Sequence, residues 1–70
     1  MSEVYREKGG IVEILNTLDP GTPIETLICN GKEYNDIYFS NYNKEKNLAY
    51  FFNDNVAIVV EASGIQSIVL

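Results

Sequence analysis

The residues with the most evident chemistry lie together in one polar stretch, Asn41-Tyr-Asn-Lys-Glu-Lys-Asn47. Tyr42 offers an aromatic face on which an unpaired base can stack, a contact of about 1–3 kcal/mol. The Asn47 amide can both donate to and accept from a base edge, and Asn41 carries the same groups. Lys44 and Lys46 supply cations for phosphate. The same residues have a plainer use. Asn41, Asn43 and Asn47 are turn formers, and the two lysines make a solvated tip. Both uses stay open at this point.

Catalysis finds little to work with. The chain has no histidine, and no Gly-rich phosphate loop, nucleophile pair or metal-ligand spacing occurs. Glu33 and Asp36 are scattered acids of the kind that usually serve solubility. Cys29 is the single cysteine, so no intrachain disulfide can form and no Cys/His cluster can hold zinc. Its placement in a predicted strand reads as a small packing residue rather than a reactive thiol. No enzyme activity, metal or cofactor is expected.

Length and charge bound the remaining possibilities. Seventy residues, 46% of them apolar, make one small domain whose core supplies only about 3–5 kcal/mol without a staple. With no disulfide and no structural metal, the remaining common route to stability is assembly with other chains. A homo-oligomer is therefore expected. Ten carboxylates against five basic residues give a net charge of −5. That balance opposes nonspecific binding to phosphate, although a local basic rim is compatible with it. The N-terminus has mixed charge and no signal-type apolar stretch, and no run approaches the roughly 20 apolar residues of a membrane span. A cytoplasmic protein with no membrane contact is expected.

These residues must be positioned by one helix followed by strands. Ile11, Ile14, Leu15 and Leu18 form the stripe of an amphipathic helix over residues 10–18. Asp19-Pro20-Gly21-Thr22-Pro23 ends it. Residues 1–9 are either an N-terminal arm or a first helical turn. From Pro23 onward the pattern is that of strands: Ile24–Cys29, Glu33–Ser40, Leu48–Phe52, Val56–Val60 and Ile65–Val69. Asn30-Gly31 supplies a two-residue type I′ hairpin turn. Asn53-Asp54-Asn55 and residues 41–47 provide the next connections, and residues 62–64 make the last turn. Five short antiparallel strands over residues 23–70 predict a strongly bent, SH3-like barrel. Alternating turns then place the 19–23 link, the 41–47 loop and the 62–64 turn at one end, with the 30–31 and 53–55 turns at the other.

The last three strands are apolar on both faces, with Tyr50, Phe51 and Phe52 in one run and Ile58, Val59 and Val60 in another. A lone antiparallel sheet normally alternates with polar residues on its outer face. Something must therefore cover the outer face or edge. Pairing of Val56–Val60 with a neighbour's Ile65–Val69 would do so, which marks Val56, Ile58, Val59, Val60, Ile65 and Ile68 as candidate interface residues.

The C-terminal residues Ile58-Val-Val-Glu-Ala-Ser-Gly-Ile-Gln-Ser-Ile68 fit the spacing hydrophobic-hydrophobic-hydrophobic-Arg-Gly-x-x-hydrophobic-x-x-hydrophobic. Upstream, Gly31 in the first turn, Tyr34 three residues on, the apolar Tyr38-Phe39 and Asn47 before Leu48-Ala49-Tyr50 follow in order. In this pattern the chain resembles the Sm-like superfamily, including its Hfq branch, over roughly residues 10–70. Asp36 stands where that family has a second Gly, and Glu61-Ala62 where it has Arg-Gly. The 41–47 loop is about two residues longer than the family's.

The resemblance implies a ring of about five to seven identical subunits. It also implies single-stranded RNA bound in RNA processing or regulation, with Tyr42, Asn47, Lys44, Lys46 and Asn41 as candidate contacts. Glu61 reverses the family's charge and repels phosphate. A second class, an acidic protein-interaction or assembly module on the same small β fold without nucleic acid, is favoured by Glu61 and the net charge. The barrel order and the 41–47 residues favour the first.

Overall fold

The helix forms where the apolar stripe lies, and its start is set by the chain before it. The computed structural model describes residues 3–70. It contains β1 (Val4–Tyr5), α1 (Lys8–Thr17), β2 (Pro23–Cys29), β3 (Lys32–Asn43), β4 (Leu48–Phe52), β5 (Ala57–Glu61), a 3-10 turn (Ala62–Gly64) and β6 (Ile65–Val69). Ile11 and Leu15 of α1 are buried, and Ile14 and Leu18 pack against the same core. The helix ends as the prolines require, with the Leu18 amide donating to the Ile14 carbonyl at 2.9 Å.

All strand pairs are antiparallel, and they form one sheet of six strands in the order β1-β6-β2-β3-β4-β5. Two expectations need correction. Among the described residues six strands are present rather than five, and the sheet does not close on itself: β1 and β5 are its two edges. The added strand comes from the segment expected as an arm or helical turn. Val4 and Tyr5 pair with Val69 and Ile68 of β6, and the Leu70 amide donates to the Glu3 carbonyl at 2.8 Å. Residues 1–2 lie outside the described residues. Helix periodicity carries no information about such a two-residue pairing, whose partners are some 64 positions apart in the chain.

The sheet bends because its inward pattern slips at defined points. Ile24, Leu27 and Cys29 are buried on β2, while Ile37 and Phe39 are buried on β3 with Tyr34 packed against the core. In both strands a spacing of three replaces the regular two, around Glu25 and Asp36. The β2–β3 pairing keeps a single register past this point, Ile24 facing Ile37 and Thr26 facing Asn35. Asp36 adopts φ +54°, the left-handed region that short polar side chains tolerate and most others avoid. A register shift between Phe39 and Asn41 turns β3 and brings Tyr42 inward against the core.

The core is one cluster under the bent sheet, with Phe51, Ile11, Leu15, Ile24, Leu27, Ile37 and Ile68 wholly enclosed. Phe39 meets Phe51 edge-on, with ring centroids 5.8 Å apart. No helix among the described residues is long and apolar enough to cross a membrane.

Candidate functional site

Two hairpin turns flank the 3-10 turn, one tied to it by Asn47 and the other by Asn30. The Asn47 backbone takes φ +58°, which ends the β3–β4 connection and aims the side chain at residues 62–63. The Asn47 amide nitrogen donates to Ser63 Oγ at 2.8 Å, and its amide oxygen accepts from the Ser63 backbone at 3.1 Å. The Asn47 carbonyl accepts from the Ala62 amide at 2.9 Å. On the other flank the Asn30 amide donates to the Gly64 carbonyl at 3.0 Å. The Gly31 amide donates to Gln66 Oε1 at 2.7 Å. A Cβ on Gly64 would lie 2.8 Å from both terminal atoms of the Asn30 side chain, so a bulkier residue there requires Asn30 to swing away.

This cluster corrects the expected arrangement of the turns. The 30–31 turn does not lie at the end opposite the 62–64 turn; the two are hydrogen-bonded neighbours. The reason is the strand order. β6 leaves β5 and pairs with β2, Cys29 facing Ile65, so the turn before β6 must bridge from Asn47 to Asn30. The 19–22 link instead lies along β3, where the Gly21 amide donates to the Phe39 carbonyl and the Phe39 amide to the Thr22 carbonyl, at 2.7 and 2.9 Å.

The sequence-predicted contacts are not held as one open platform. Residues 41–43 belong to β3, leaving only residues 44–47 as the turn. Tyr42 pairs with Ala49, which is fully buried, and packs against the core beside Leu15 and Leu18. One side of its ring is therefore committed to the interior. Asn47 has its amide oxygen and one amide hydrogen engaged by Ser63. Lys44, Lys46 and Asn41 are exposed. Glu61 is exposed where β5 enters the same turn.

The expected interface residues divide in the same way. Val60, Ile65 and Ile68 are core residues, so they can meet a neighbour only through their main chains. Ile58 is half-buried. Val56 and Val59 are open to solvent, 54% and 52% exposed. Two exposed aromatics outside the expected interface set lie on the same sheet face as Val59. Tyr38 and Phe52 are 38% and 40% exposed, face each other across the β3–β4 ladder, and stack with centroids 5.5 Å apart. Their signal was present in the period-two pattern. Tyr38 alternates with the buried Ile37 and Phe39, as Phe52 follows the buried Phe51.

The free edge of β5 borders a groove of about 450 Å³, between Val59, Val60 and Glu61 on one side and Cys29, Lys32 and Tyr34 on the other. The groove narrows where Cys29 Sγ lies 3.8 Å from the Glu61 carbonyl. Lys32 Nζ sits 5.2 Å from the centre of the Tyr34 ring, within cation–π range. Burial, and secondarily the Glu61 carboxylate, pushes the Cys29 thiol above its ordinary pKa. That keeps it protonated and poorly nucleophilic. No three acidic or cysteine side chains among the described residues come together as a metal site.

No family model, curated protein or solved structure matches the chain.

Proposed function

We propose that this chain is a self-assembling interaction module built on an Sm-like frame, with the free β5 edge and the adjoining apolar face as its contact surface. The observation that carries this reading is exposed Tyr38, Phe52 and Val59, which the ladder register puts on one face of the sheet, beside a strand with no further strand paired to its outer side among the described residues. Contiguous apolar surface next to an open edge is a recognised signature of protein contact. Three details support the frame. Val60, Ile65 and Ile68 of the C-terminal pattern face the core, Asp36 takes the left-handed conformation where the pattern has Gly, and Asn47 binds the turn that stands in for Arg-Gly. Light scattering at micromolar concentration should report a multiple of the 7.9 kDa chain mass. Val59→Lys should return it to a folded monomer. A wild-type protein that stays monomeric at high concentration rules this reading out.

A second reading, single-stranded RNA binding, is favoured by the exposed Lys44 and Lys46 at the tip of the β3–β4 turn. Glu61 opposes phosphate beside it, so binding on this reading is weak and steeply salt-dependent. Each phosphate neutralised contributes about −0.7 to the slope of log K against log salt. Glu61→Arg should strengthen binding to an oligouridine or oligoadenine probe. No binding by either protein at low salt removes the RNA reading.

A further inference from the structure

The two edges of the sheet are unequal, and that inequality restricts how copies of the chain can join. On one side β6 is already paired at Ile68 and Val69 by β1, and the chain end is tied back by the Leu70–Glu3 hydrogen bond. On the other side no strand pairs with the outer edge of β5 among the described residues, and only the Glu61 carbonyl at its end is met, by Cys29 Sγ at 3.8 Å. A head-to-tail ring needs two complementary open edges on each subunit, whereas a two-fold contact needs only one edge that complements itself. An antiparallel strand satisfies that condition, because it can pair with its own copy.

We infer that β5 pairs antiparallel with β5 of a second copy of this chain, across a two-fold axis near Ile58 and Val59. The inference rests on the assembly reading above and specifies its partner. Nothing on β5 before Glu61 discourages such pairing. Ala57, Ile58, Val59 and Val60 include no charge and no proline, the devices that protect exposed edges. An open groove of about 450 Å³ lies beside Val59 and Val60. In an antiparallel self-pair the two Glu61 side chains fall at opposite ends of the contact, so the like charges are kept apart. The outward Val59 side chains meet at the centre, flanked by Phe52 and Tyr38 of each copy. A twelve-stranded sheet with one continuous apolar strip results.

Disulfide trapping in the full-length chain tests this, with Cys29→Ala removing the native thiol. Ala57→Cys and Val59→Cys variants are oxidised singly and as a mixture, beside a mixture of Val59→Cys with Ser67→Cys. The expected result is a particle of about 15.8 kDa, twice the 7.9 kDa chain, and a covalent dimer through residues 57 and 59 in at least one of the first three samples. Cα atoms of facing residues on paired strands lie about 4.5–5.5 Å apart, within disulfide range. A larger closed particle that cross-links only between residues 59 and 67 overturns the two-fold pairing while leaving self-assembly intact. A dimer that none of these cysteines traps also overturns it. A monomer overturns both readings, and circular dichroism of each variant establishes that loss of pairing is not loss of fold.

Discussion

The sheet ends in two strands of similar composition that meet opposite fates. Ile68 and Val69 of β6 lie between β2 and β1, and Ile68 is completely buried. Val59 of β5 is an aliphatic residue in an equally apolar strand, yet half its surface faces solvent. The difference is the short β1 strand on one side, with the core beneath it, and nothing comparable on the other. Apolar composition says that a strand wants cover, and only the chain path says whether the same chain supplies it.

The largest expected effect comes from truncating the covered side. Ile68→Ala removes enclosed packing and should cost about 2–5 kcal/mol in chemical denaturation. Val59→Ala should change the stability of the dissociated chain by no more than about 0.5 kcal/mol, while weakening assembly measured by dilution. Equal losses from the two variants would erase the contrast between the edges.

Next in size is the joint between the turns. Asn47→Ala deletes both side-chain hydrogen bonds to Ser63 and gives up a residue suited to φ +58°. A loss of about 1–3 kcal/mol is expected. Asn47→Gly should recover the backbone part only, so its denaturation midpoint should fall between those of the alanine variant and the wild type.

The bend at Asp36 predicts a change of opposite sign. Asp36→Gly relieves a left-handed conformation that costs an L-residue about 1–2 kcal/mol, partly offset by the greater freedom of Gly in the unfolded chain. The net result should be a gain of up to about 1 kcal/mol. Asp36→Val, which tolerates positive φ poorly, should lower stability instead. A neutral Val substitution would show that the bend does not depend on this residue.

The smallest effect concerns Cys29, at the narrow end of the groove beside β5. Cys29→Ala should cost about 1–2 kcal/mol at most and leave assembly unchanged. Because burial raises the folded thiol's pKa, the protonated form favours the folded state. The corresponding stability is complete below the unfolded thiol's pKa and is lost as pH rises through the folded value. Iodoacetamide should therefore label the native protein slowly where an ordinary thiol reacts, and faster only at higher pH. Rapid native labelling at neutral pH would place the thiol outside the packed groove.

Much of the local structure was legible in the residue order. The stripe Ile11, Ile14, Leu15 gave a helix because those positions share one face at 3.6 residues per turn, although it runs Lys8–Thr17 rather than 10–18, with Leu18 as its extended C-cap. Asn30-Gly31 made its hairpin turn with φ of 51° and 81°, which this residue pair adopts more readily than most. Leu48–Phe52 and Ile65–Val69 occupy the bounds expected of them. In the 53–56 turn, Asn53 Oδ1 accepts from the Asn55 and Val56 amides at 3.2 and 3.1 Å, the local bonding for which Asn is suited.

What depended on distant partners was not legible. Val4 and Tyr5 are a strand only because β6 lies alongside, and residues 41–43 extend β3 only because β4 pairs with them. Tyr42 reads in the sequence as an open stacking face, and the register shift in β3 turns it toward the core. Asn47 stands out in the sequence for its amide, which the fold largely commits to Ser63, sixteen residues away. Sequence fixes periodicity, turn chemistry and total apolar content, since these act over a few neighbouring residues. Which edge stays open, and which polar group stays free, is set by pairings across the whole chain, and those exist only once the sheet has folded.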